Sequence, residues 1–530
     1  MHAMRRIELT DTYDIVVAGS GFAGSLMAMI AKRLGYSVAL VERGKHPRVV
    51  IGESSTPLAN LLLEELCRRY DLAELAPLAK WGSWQRSYPR IACGLKRGFT
   101  FYHHQRGETN NPAASFGKQL LVAASPHDEI GDTHWYRAEF DQFLAERAQG
   151  LGVAYLDETQ IEEIECGESG VQLGVTRNGA QLSIRAKFLI DATGPRGLLH
   201  RALRLGEAQL PEYPRTQALW SHFTGVTRPI DAGLGSPPYP PEDAAVHHIF
   251  DGGWIWVLRF NNGITSAGVA STEAMAAELG LSEGAAAWNR LLDTMPALRA
   301  QFKHARAVEP FRHIEGLSFL SERVVGDRWA LLPSAAGFVD PLLSTGFPLT
   351  LLGVERMARI LEAGLETPQL QGQLGAYERR TQEELRATAR LIAALYANMS
   401  DFALFSSLCL LYFAAASYAE TARRLGKPHL AQSFLLHDHS TFGPGMKEIL
   451  ERAQSKVPEQ DSAGLKDETL RTIALIDVAG LSRPNGRNWY PVDADDLLTA
   501  CAKVEATRED VEALLDRCGF FPLGTAPMRR

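Results

Sequence analysis

Residues 13–43, YDIVVAGSGFAGSLMAMIAKRLGYSVALVER, constrain the fold more than any other stretch of the chain. A short apolar run comes first and predicts a buried strand. A full G-x-G-x-x-G follows at 19–24, a long apolar helix pattern runs over 25–34, and a second predicted strand ends on Glu42. This order of strand, glycine turn, helix, strand and acid predicts a Rossmann βαβ unit that binds a dinucleotide.

Each residue of the glycine turn has a physical role. Gly19 allows the tight turn from strand to helix, and Gly21 lets the backbone approach a pyrophosphate. Gly24 lets the helix pack closely on the sheet. Phe22 and Ala23, inside the turn, are further candidate contacts of the cofactor. The N-terminus of the helix that follows offers free N–H groups and the positive end of the helix dipole to the phosphates.

The acid that closes this unit adds specificity to the prediction. Glu42 is close to the spacing at which an acidic side chain hydrogen-bonds a ribose hydroxyl of the dinucleotide. Arg43 follows directly and is a second candidate contact. The alternative, a purely structural glycine-rich turn, explains neither the flanking strands nor the acid.

Composition narrows the class of protein. A chain of 530 residues is too long for one core, so two or more lobes are expected. A net charge of -7 without a basic patch argues against nucleic acid as a partner. Six scattered cysteines without a C-x-x-C pair suit a reducing cytoplasm and predict no metal site. The first residues contain no apolar segment, so we expect no signal peptide.

Residues 402–419, FALFSSLCLLYFAAASYA, carry no charge. Their length is near the lower limit for a helix that crosses a membrane. Because serines interrupt the stretch, we predict a buried helix of a C-terminal lobe. A peripheral membrane contact is the alternative.

Other segments predict the remaining architecture. Apolar alternation over 95–101 predicts one strand. The neighbouring His103 and His104 are expected to form a surface pair, and acid/base groups in the pocket are the alternative. Residues 217–272 have the strands and glycine turns of an antiparallel meander. From about residue 369 the pattern is mostly helical.

Three separated pieces agree with one another. They are the glycine unit at 13–43, the small-residue turn at 191–194, and the strand and loop at 327–341. Together they resemble the flavoprotein monooxygenase fold, in which a Rossmann lobe binds FAD and an antiparallel sheet covers it. The fold implied is α/β, with a Rossmann-type FAD-binding domain, an antiparallel-sheet substrate domain and a helical C-terminal region.

Two further segments resemble the flavin-dependent halogenases within this fold. The loop at 52–57, GESSTP, is similar to the loop that lies against the flavin, and 337–346 is similar to the segment where the chloride and flavin sites meet. The resemblance covers roughly residues 12–365 at the level of motifs. The implied boundaries are 12–90, 135–204 and 321–367 for the FAD-binding domain, 91–134 for a substrate-side segment, 205–320 for the antiparallel-sheet domain and 368–530 for the helical domain.

The resemblance implies a set of site residues. The implied FAD contacts outside the glycine unit are Glu53, Ser54, Ser55, Arg137, Asp191, Gly194, Asp340 and Gly346. The implied halide site is Ser344, Thr345 and Gly346, where hydroxyls and free N–H groups precede a helix. A plain helix cap is the alternative for these three residues.

The family also implies a catalytic lysine and a pair of tryptophans. Lys96 stands where the family lysine would fall, and the alternative is a solvated lysine at a strand end. Trp254 and Trp256 keep the tryptophans of the W-x-W-x-I-P signature, whose last two residues differ here. The resemblance implies that they line the substrate pocket and block ordinary hydroxylation of the substrate near the flavin, and an aromatic core pair is the alternative. Leu343 stands where tryptophan halogenases have a glutamate, so the pattern favours phenolic, pyrrolic or carrier-tethered substrates.

The function implied is halogenation. Reduced FAD from a separate flavin reductase, with O2 and chloride or bromide, would give hypohalous acid, which the lysine delivers to an electron-rich substrate. One alternative is an FAD-dependent monooxygenase or oxidoreductase of the same fold that does not halogenate. Another is a non-catalytic flavoprotein associated with a membrane.

Overall fold

Two large β-sheets organise the structure, a computed structural model that describes residues 10–229, 233–483 and 485–521. The strands are β1 (Thr10–Ala18), β2 (Val38–Val41), β3 (Cys93–Lys96), β4 (Gly98–His103), β5 (Gln119–Ala123), β6 (Asp132–Trp135), β7 (Ala154–Leu156), β8 (Thr159–Gly167), β9 (Gly170–Arg177), β10 (Ala180–Asp191), β11 (Thr216–Thr224), β12 (Ala245–Phe250), β13 (Gly253–Arg259), β14 (Thr265–Thr272), β15 (Arg306–Ala307), β16 (Arg312–Ile314), β17 (Phe319–Leu320), β18 (Val325–Gly326), β19 (Trp329–Leu331), β20 (Gly337–Phe338) and β21 (Trp489–Tyr490).

Helices cover and extend the sheets. They are α1 (Phe22–Arg33), α2 (Pro57–Arg69), α3 (Trp81–Ser87), α4 (Arg137–Gly150), α5 (Leu198–Ala202), α6 (Glu273–Leu279), α7 (Ala285–Asp293), α8 (Pro296–Gln301), α9 (Pro333–Ala336), α10 (Gly346–Ala363), α11 (Leu370–Ala397), α12 (Phe402–Arg424), α13 (Phe442–Arg452), α14 (Glu459–Ala474), α15 (Ala494–Thr499) and α16 (Arg508–Arg517).

The first sheet is a Rossmann-type sheet. Its main path is β18-β19-β10-β1-β2-β7, and the strands from β19 to β7 are parallel. The β1 residues 15–18 and all of β2 are buried, because α1 and other helices cover the sheet. Such continuous apolar strands are typical of parallel sheets. The hairpin of β8 and β9 joins the first half of β10.

The second sheet has nine strands and covers the first. Its main path is β15-β11-β14-β13-β12-β4-β5-β21, with β16 attached to β11. The predicted meander at 217–272 forms the strands β11 to β14, which pair antiparallel. Gly252 and Gly263 take positive φ in the turns between them, as the hairpin prediction requires. The predicted α/β architecture is therefore confirmed.

The prediction of one unbroken strand over 95–101 is wrong, because these residues belong to two strands, β3 and β4. The chain leaves the ladder at Arg97: β3 pairs with β6 in a separate two-stranded sheet, while β4 joins the large sheet. The Arg97 side chain is buried and donates hydrogen bonds to Asp128 Oδ1 (2.6 Å) and to Ser125 O (3.1 Å). Apolar alternation continues across this break, so the periodicity did not reveal it.

The surface position predicted for the histidine pair is also wrong. His103 and His104 are both buried. His104 Nε2 lies 2.9 Å from His248 Nδ1, and the His103 ring stacks on Phe402 with centroids 5.1 Å apart. Two adjacent polar residues on a strand point to opposite faces, and here helices cover both faces.

The apolar stretch of the C-terminal region forms most of α12. Within the described residues, α12 is the one helix that has the length and composition to cross a membrane, and 83% of its most apolar window is buried inside the protein. Its contacts are with α2, α11 and α14. This burial agrees with the prediction of a core helix.

The turn after β1 explains two glycines of the motif. Ala18 and Asp191 are register partners, so the residues that follow β1 and β10 run side by side. Gly19 has φ +95°, and a Cβ there would lie 2.7 Å from Ala192 O. A Cβ on Gly24 would lie 1.9 Å from Gly19 O, so α1 rests directly on the turn.

We expect Gly24→Ala to destabilise the protein by about 3 kcal/mol, at the upper end of overpacking costs, because the opposing atom is backbone and cannot rotate away. The matched control is Gly150→Ala, also in a helix, where a Cβ would meet nothing within 4 Å. That change should be neutral or stabilising by up to about 1 kcal/mol. Denaturant unfolding of both variants measures the difference. Equal stabilities would contradict the close packing of α1.

Candidate active site

A cleft of about 340 Å³ lies between the two sheets, at the carboxyl ends of β1 and β10. This is where open α/β sheets bind ligands. One wall is the glycine turn, with the turn at 192–194 beside it. The opposite wall is formed by β13 and by the start of α10.

Two arginines from other parts of the chain lie close to the N-terminus of α1. A Cβ on Gly21 would stand 3.4 Å from Arg137 Nη2 and 3.8 Å from Arg48 Nη2, and all three residues line the cleft. Arg137 is held by a bidentate pair with Asp141 (2.7 Å twice) and donates to Gly52 O (2.9 Å). Two guanidinium groups at a helix N-terminus favour an anion. The residues present therefore fit the diphosphate of FAD.

Glu42 supports the glycine turn. Its Oε2 accepts hydrogen bonds from Ser20 N–H (3.0 Å) and Arg48 Nη2 (3.2 Å), and its Oε1 accepts from Gly44 N–H (2.9 Å). Burial would raise the pKa of this carboxyl, but Arg48 and these hydrogen bonds outweigh it and lower the pKa. The negative charge is thus fixed beside the turn. Arg43 is exposed, so its predicted contact with the cofactor depends on a ligand that reaches the surface.

In the turn at 191–194, one residue holds the backbone and others line the cleft. The Asp191 carboxylate is fully buried and accepts hydrogen bonds from Thr193 N–H (2.8 Å) and Leu199 N–H (2.7 Å). Gly194 and its neighbours line the cleft. Asp191 therefore shapes the turn, and its contact with the cofactor stays a prediction.

The loop before α2 brings Glu53 and Ser54 to the cleft. Glu53 Oε1 lies 2.8 Å from His222 Nε2, and Glu53 Oε2 is buried without a partner in the described part of the chain. Ser55 turns away and donates its hydroxyl hydrogen to Thr133 O (2.8 Å). Of the loop residues predicted to contact FAD, Glu53 and Ser54 are so placed and Ser55 is not.

The segment before α10 has an unusual backbone. Leu343 and Ser344 take positive φ (65° and 56°), and Thr345 returns to φ -68°. A left-handed residue followed by a right-handed one turns successive N–H groups toward one point, which makes a small anion-binding concavity. Ser344, Thr345 and Gly346 line the cleft at this point. Left-handed conformations of residues other than glycine cost about 1–2 kcal/mol each, and such strain is typical of functional sites.

Asp340 holds this segment and a tryptophan together. Its Oδ1 accepts hydrogen bonds from Leu342 N–H (3.0 Å) and Trp254 Nε1–H (3.2 Å), and its Oδ2 accepts from the Tyr396 hydroxyl (3.0 Å). Burial raises the pKa of Asp340 to about 6. The carboxylate is buried and bonded to protein groups, and its contact with the flavin side chain, implied by the resemblance, stays a prediction.

The two signature tryptophans face the cleft from β13. Trp254 and Trp256 have ring centroids 5.7 Å apart, and His247 stacks on Trp254 at 5.0 Å. Trp256 donates its indole hydrogen to Ser266 Oγ (3.3 Å). Both rings are buried against the sheet and still form part of the cleft wall.

Lys96 is fully buried, which excludes the solvated alternative. Its Nζ donates hydrogen bonds to Ser54 Oγ (2.9 Å) and Ser55 O, and it lies 3.8 Å from the centroid of the Phe99 ring. Burial lowers the pKa of the amine, and Asp132 opposes that shift. Because Ser54 also lines the cleft, one hydroxyl separates the amine from it.

Sequence reasoning missed four residues of this region: Arg48, Asp132, His222 and Tyr396. Arg48 follows Glu42 in the same loop, so a basic residue near the acid was a weak local signal. The other three come from distant strands and helices, and no spacing in the sequence relates them to the glycine turn.

We expect Arg48→Met to weaken FAD binding about tenfold or more, because a charged hydrogen-bond donor to the diphosphate is lost. Fluorescence titration of oxidised FAD measures this. Arg43→Met is the comparison, and its exposed side chain predicts a smaller loss. A larger loss for Arg43→Met would place the diphosphate away from Arg48.

Comparison with known proteins agrees with this geometry. Residues 132–404 match the model of the tryptophan halogenase family. The tetracycline 7-halogenase of Kitasatospora aureofaciens is 30% identical over 421 residues, 76% of this chain and 73% of that protein. The monodechloroaminopyrrolnitrin halogenase PrnC of Pseudomonas fluorescens is 29% identical over 405 residues, 74% of this chain and 70% of that protein.

A solved structure shows the same fold over most of the chain. The crystal structure of the halogenase PltM has a TM-score of 0.77 and 25% identity, and the match covers 89% of this chain and 98% of PltM. PltM has also been solved in complex with phloroglucinol and FAD. The chain described above therefore belongs to the tryptophan halogenase family of FAD-dependent halogenating enzymes.

Proposed function

We propose that this enzyme oxidises chloride or bromide at the start of α10 and that Lys96 delivers the halogen to an electron-rich aromatic substrate. One observation carries this proposal: the Lys96 amine is buried behind Ser54, which lines the cleft. In this position the lysine amine is shielded from water, and the Ser54 hydroxyl lies between the amine and the cleft.

The first part of the proposed reaction is the formation of hypohalous acid, and different cleft residues would serve it. When bound, reduced FAD together with O2, halide and a proton supplies the chemistry that yields hypohalous acid and water. Arg48 and Arg137 would hold the diphosphate. The N–H groups of Thr345 and Gly346, which have no acceptor inside their own helix, would hold the halide.

Lys96 would perform the second part. A neutral amine has a lone pair, and burial lowers the lysine pKa so that the neutral form is available nearer to neutral pH. The amine nitrogen attacks the halogen of hypohalous acid, the O–halogen bond breaks, and water leaves with the amine proton. The ring carbon of the substrate then takes the halogen as the N–halogen bond breaks, and the proton that the ring loses restores the neutral amine.

The substrate proposed is phenolic, pyrrolic or a carrier-tethered aromatic acyl group. Leu343 leaves no carboxylate at the position before Ser344, unlike tryptophan halogenases. Similar proteins are named for tetracycline, for monodechloroaminopyrrolnitrin and for a pyrrole held on a peptidyl carrier protein. The compound in each of these three names contains an electron-rich ring.

The proposal includes a partner and a compartment. A separate flavin reductase would provide reduced FAD. All six cysteines are free, which suits a reducing cytoplasm.

The direct test supplies FAD, a flavin reductase with NADH, and bromide or chloride, with phenols, pyrroles and indoles as substrates. We expect halogenated products by mass spectrometry. Lys96→Met, which replaces the lysine by a side chain of similar size, should lower the rate of halogenation about 100-fold or more. Lys187→Met, at an exposed lysine, is the control and should keep full activity. Hydroxylated product that does not depend on halide would identify a monooxygenase instead.

The halide site has its own test. Thr345→Val keeps the shape of the buried side chain and removes a hydroxyl beside the proposed halide. We expect the bromide concentration for half-maximal rate to rise about tenfold, the value of one hydrogen bond to an ion. Thr388→Val removes a buried hydroxyl from α11 and is the control. Equal bromide dependence in wild type and both variants would contradict a contact with the Thr345 hydroxyl.

A further inference from the structure

Lys96 and Asp132 are direct partners across a short antiparallel ladder. They are register partners in the pair β3–β6, so their side chains leave the same face of the ladder about 5 Å apart. Both then run toward the start of α2. Lys96 contacts Ser54 and Ser55 just before that helix, and Asp132 Oδ1 accepts a hydrogen bond from Asn60 Nδ2 (2.7 Å) in its first turn.

Both groups are buried, and each lacks another close ion of opposite charge. In the described part of the chain no salt bridge within 4 Å includes either Lys96 or Asp132. Asp132 Oδ2 is buried and has no hydrogen-bond partner there. A buried charge without compensation is expensive, so each of the two is the main compensation for the other.

The other titratable groups around the pair lie on β6, β12 and α12. His134 on β6 and His247 on β12 face Lys96, and burial lowers the pKa of both to about 3, so they stay neutral. On α12, Tyr412, Glu420 and Arg424 act on Asp132 from further away, and the last two oppose each other. Asp132 is therefore the carboxylate that decides the charge of Lys96.

We propose that Asp132 is a positioning residue that sets the protonation state of the Lys96 amine. Its negative charge stabilises the ammonium form, so it sets the pH above which the neutral amine is available. This inference rests on the proposed delivery of halogen by Lys96.

Asp132 acts on the amine through its charge, because in the described part of the chain no salt bridge within 4 Å and no hydrogen bond joins the two side chains. The ammonium releases its proton as the pH rises, and the neutral amine then takes the halogen from hypohalous acid as described above. The Asn60 amide donates a hydrogen bond to one oxygen of Asp132 and so favours the carboxylate.

The test measures the charge of Lys96 directly. The full-length enzyme, loaded with oxidised FAD, is labelled with 13C at the lysine Cε, and the Lys96 signal is assigned by its loss in Lys96→Met. We expect a titration midpoint well below the ordinary lysine value of about 10.4. Asp132→Asn removes the negative charge, disfavours the ammonium, and should lower the midpoint by about one pH unit or more.

A second variant covers the case in which Asp132→Asn does not fold. Asn60→Ala removes the hydrogen bond that favours the carboxylate, so it should lower the midpoint in the same direction by a smaller amount. Asp477→Asn is the matched control, because Asp477 is a buried aspartate that accepts hydrogen bonds in a distant loop. It should leave the midpoint unchanged. A midpoint equal to wild type in Asp132→Asn, or in Asn60→Ala if only that variant folds, overturns the proposal.

The pH dependence of halogenation separates this proposal from the one on which it rests. If the amine must be neutral, activity rises with pH, and the acidic limb should move to lower pH in Asp132→Asn by the same amount as the midpoint. A shifted midpoint with an unshifted limb, in an enzyme that Lys96→Met inactivates, overturns the claim that the charge of Asp132 controls when the amine can react. Full halogenation by Lys96→Met contradicts delivery by lysine, while the midpoint still decides whether Asp132 sets the charge.

Discussion

The hydrogen bond from the Lys96 amine to the Ser54 hydroxyl is the contact on which the active site depends. It ties the two-stranded sheet of β3 and β6 to the loop that borders the cleft. The loop itself is fixed to β6, because Ser55 N–H donates to Thr133 O (3.2 Å) and Trp135 N–H donates to Glu53 O (2.6 Å). A buried amine requires such a rigid set of acceptors, since its hydration has been lost.

At the opposite wall of the cleft, one buried residue supports both a strained backbone segment and a buried aromatic side chain. Two consecutive left-handed residues, Leu343 and Ser344, are unfavourable by themselves. Asp340 fixes the backbone just before them and also holds the Trp254 indole and the Tyr396 hydroxyl. One buried carboxylate thus connects α11, the second sheet and the proposed halide site. The proposed chemistry needs these parts fixed relative to one another, because oxidised halide must pass from one wall of the cleft to the other.

The parts that sequence predicted well depend on local rules. Gly19 and Gly24 were predictable because a strand-to-helix turn of this shape excludes side chains at those positions, and the structure gives the same reason. The parts that sequence missed depend on contacts between distant residues. Asp132 is 36 positions from Lys96, and only the register of β3 with β6 brings them together. The left-handed Leu343 could not be predicted, because positive φ normally signals glycine.

The resemblance to a family predicted which residues belong to the site, and the structure adds which protein groups their side chains contact. Asp191 and Asp340 lie in segments that border the cleft, and their carboxylates hold protein groups. A motif records that a residue type recurs at a place. It does not record which way the side chain points, and that depends on the whole packed structure.

The central proposal is that halide is held at the start of α10, within reach of the path that leads through Ser54 to Lys96. A crystal structure of the enzyme with FAD and bromide, with anomalous scattering from the bromide, tests this most directly. We expect an anomalous peak within hydrogen-bond distance of the N–H groups of Thr345 and Gly346. A bromide bound elsewhere in the FAD-loaded cleft, with this position empty, would contradict it.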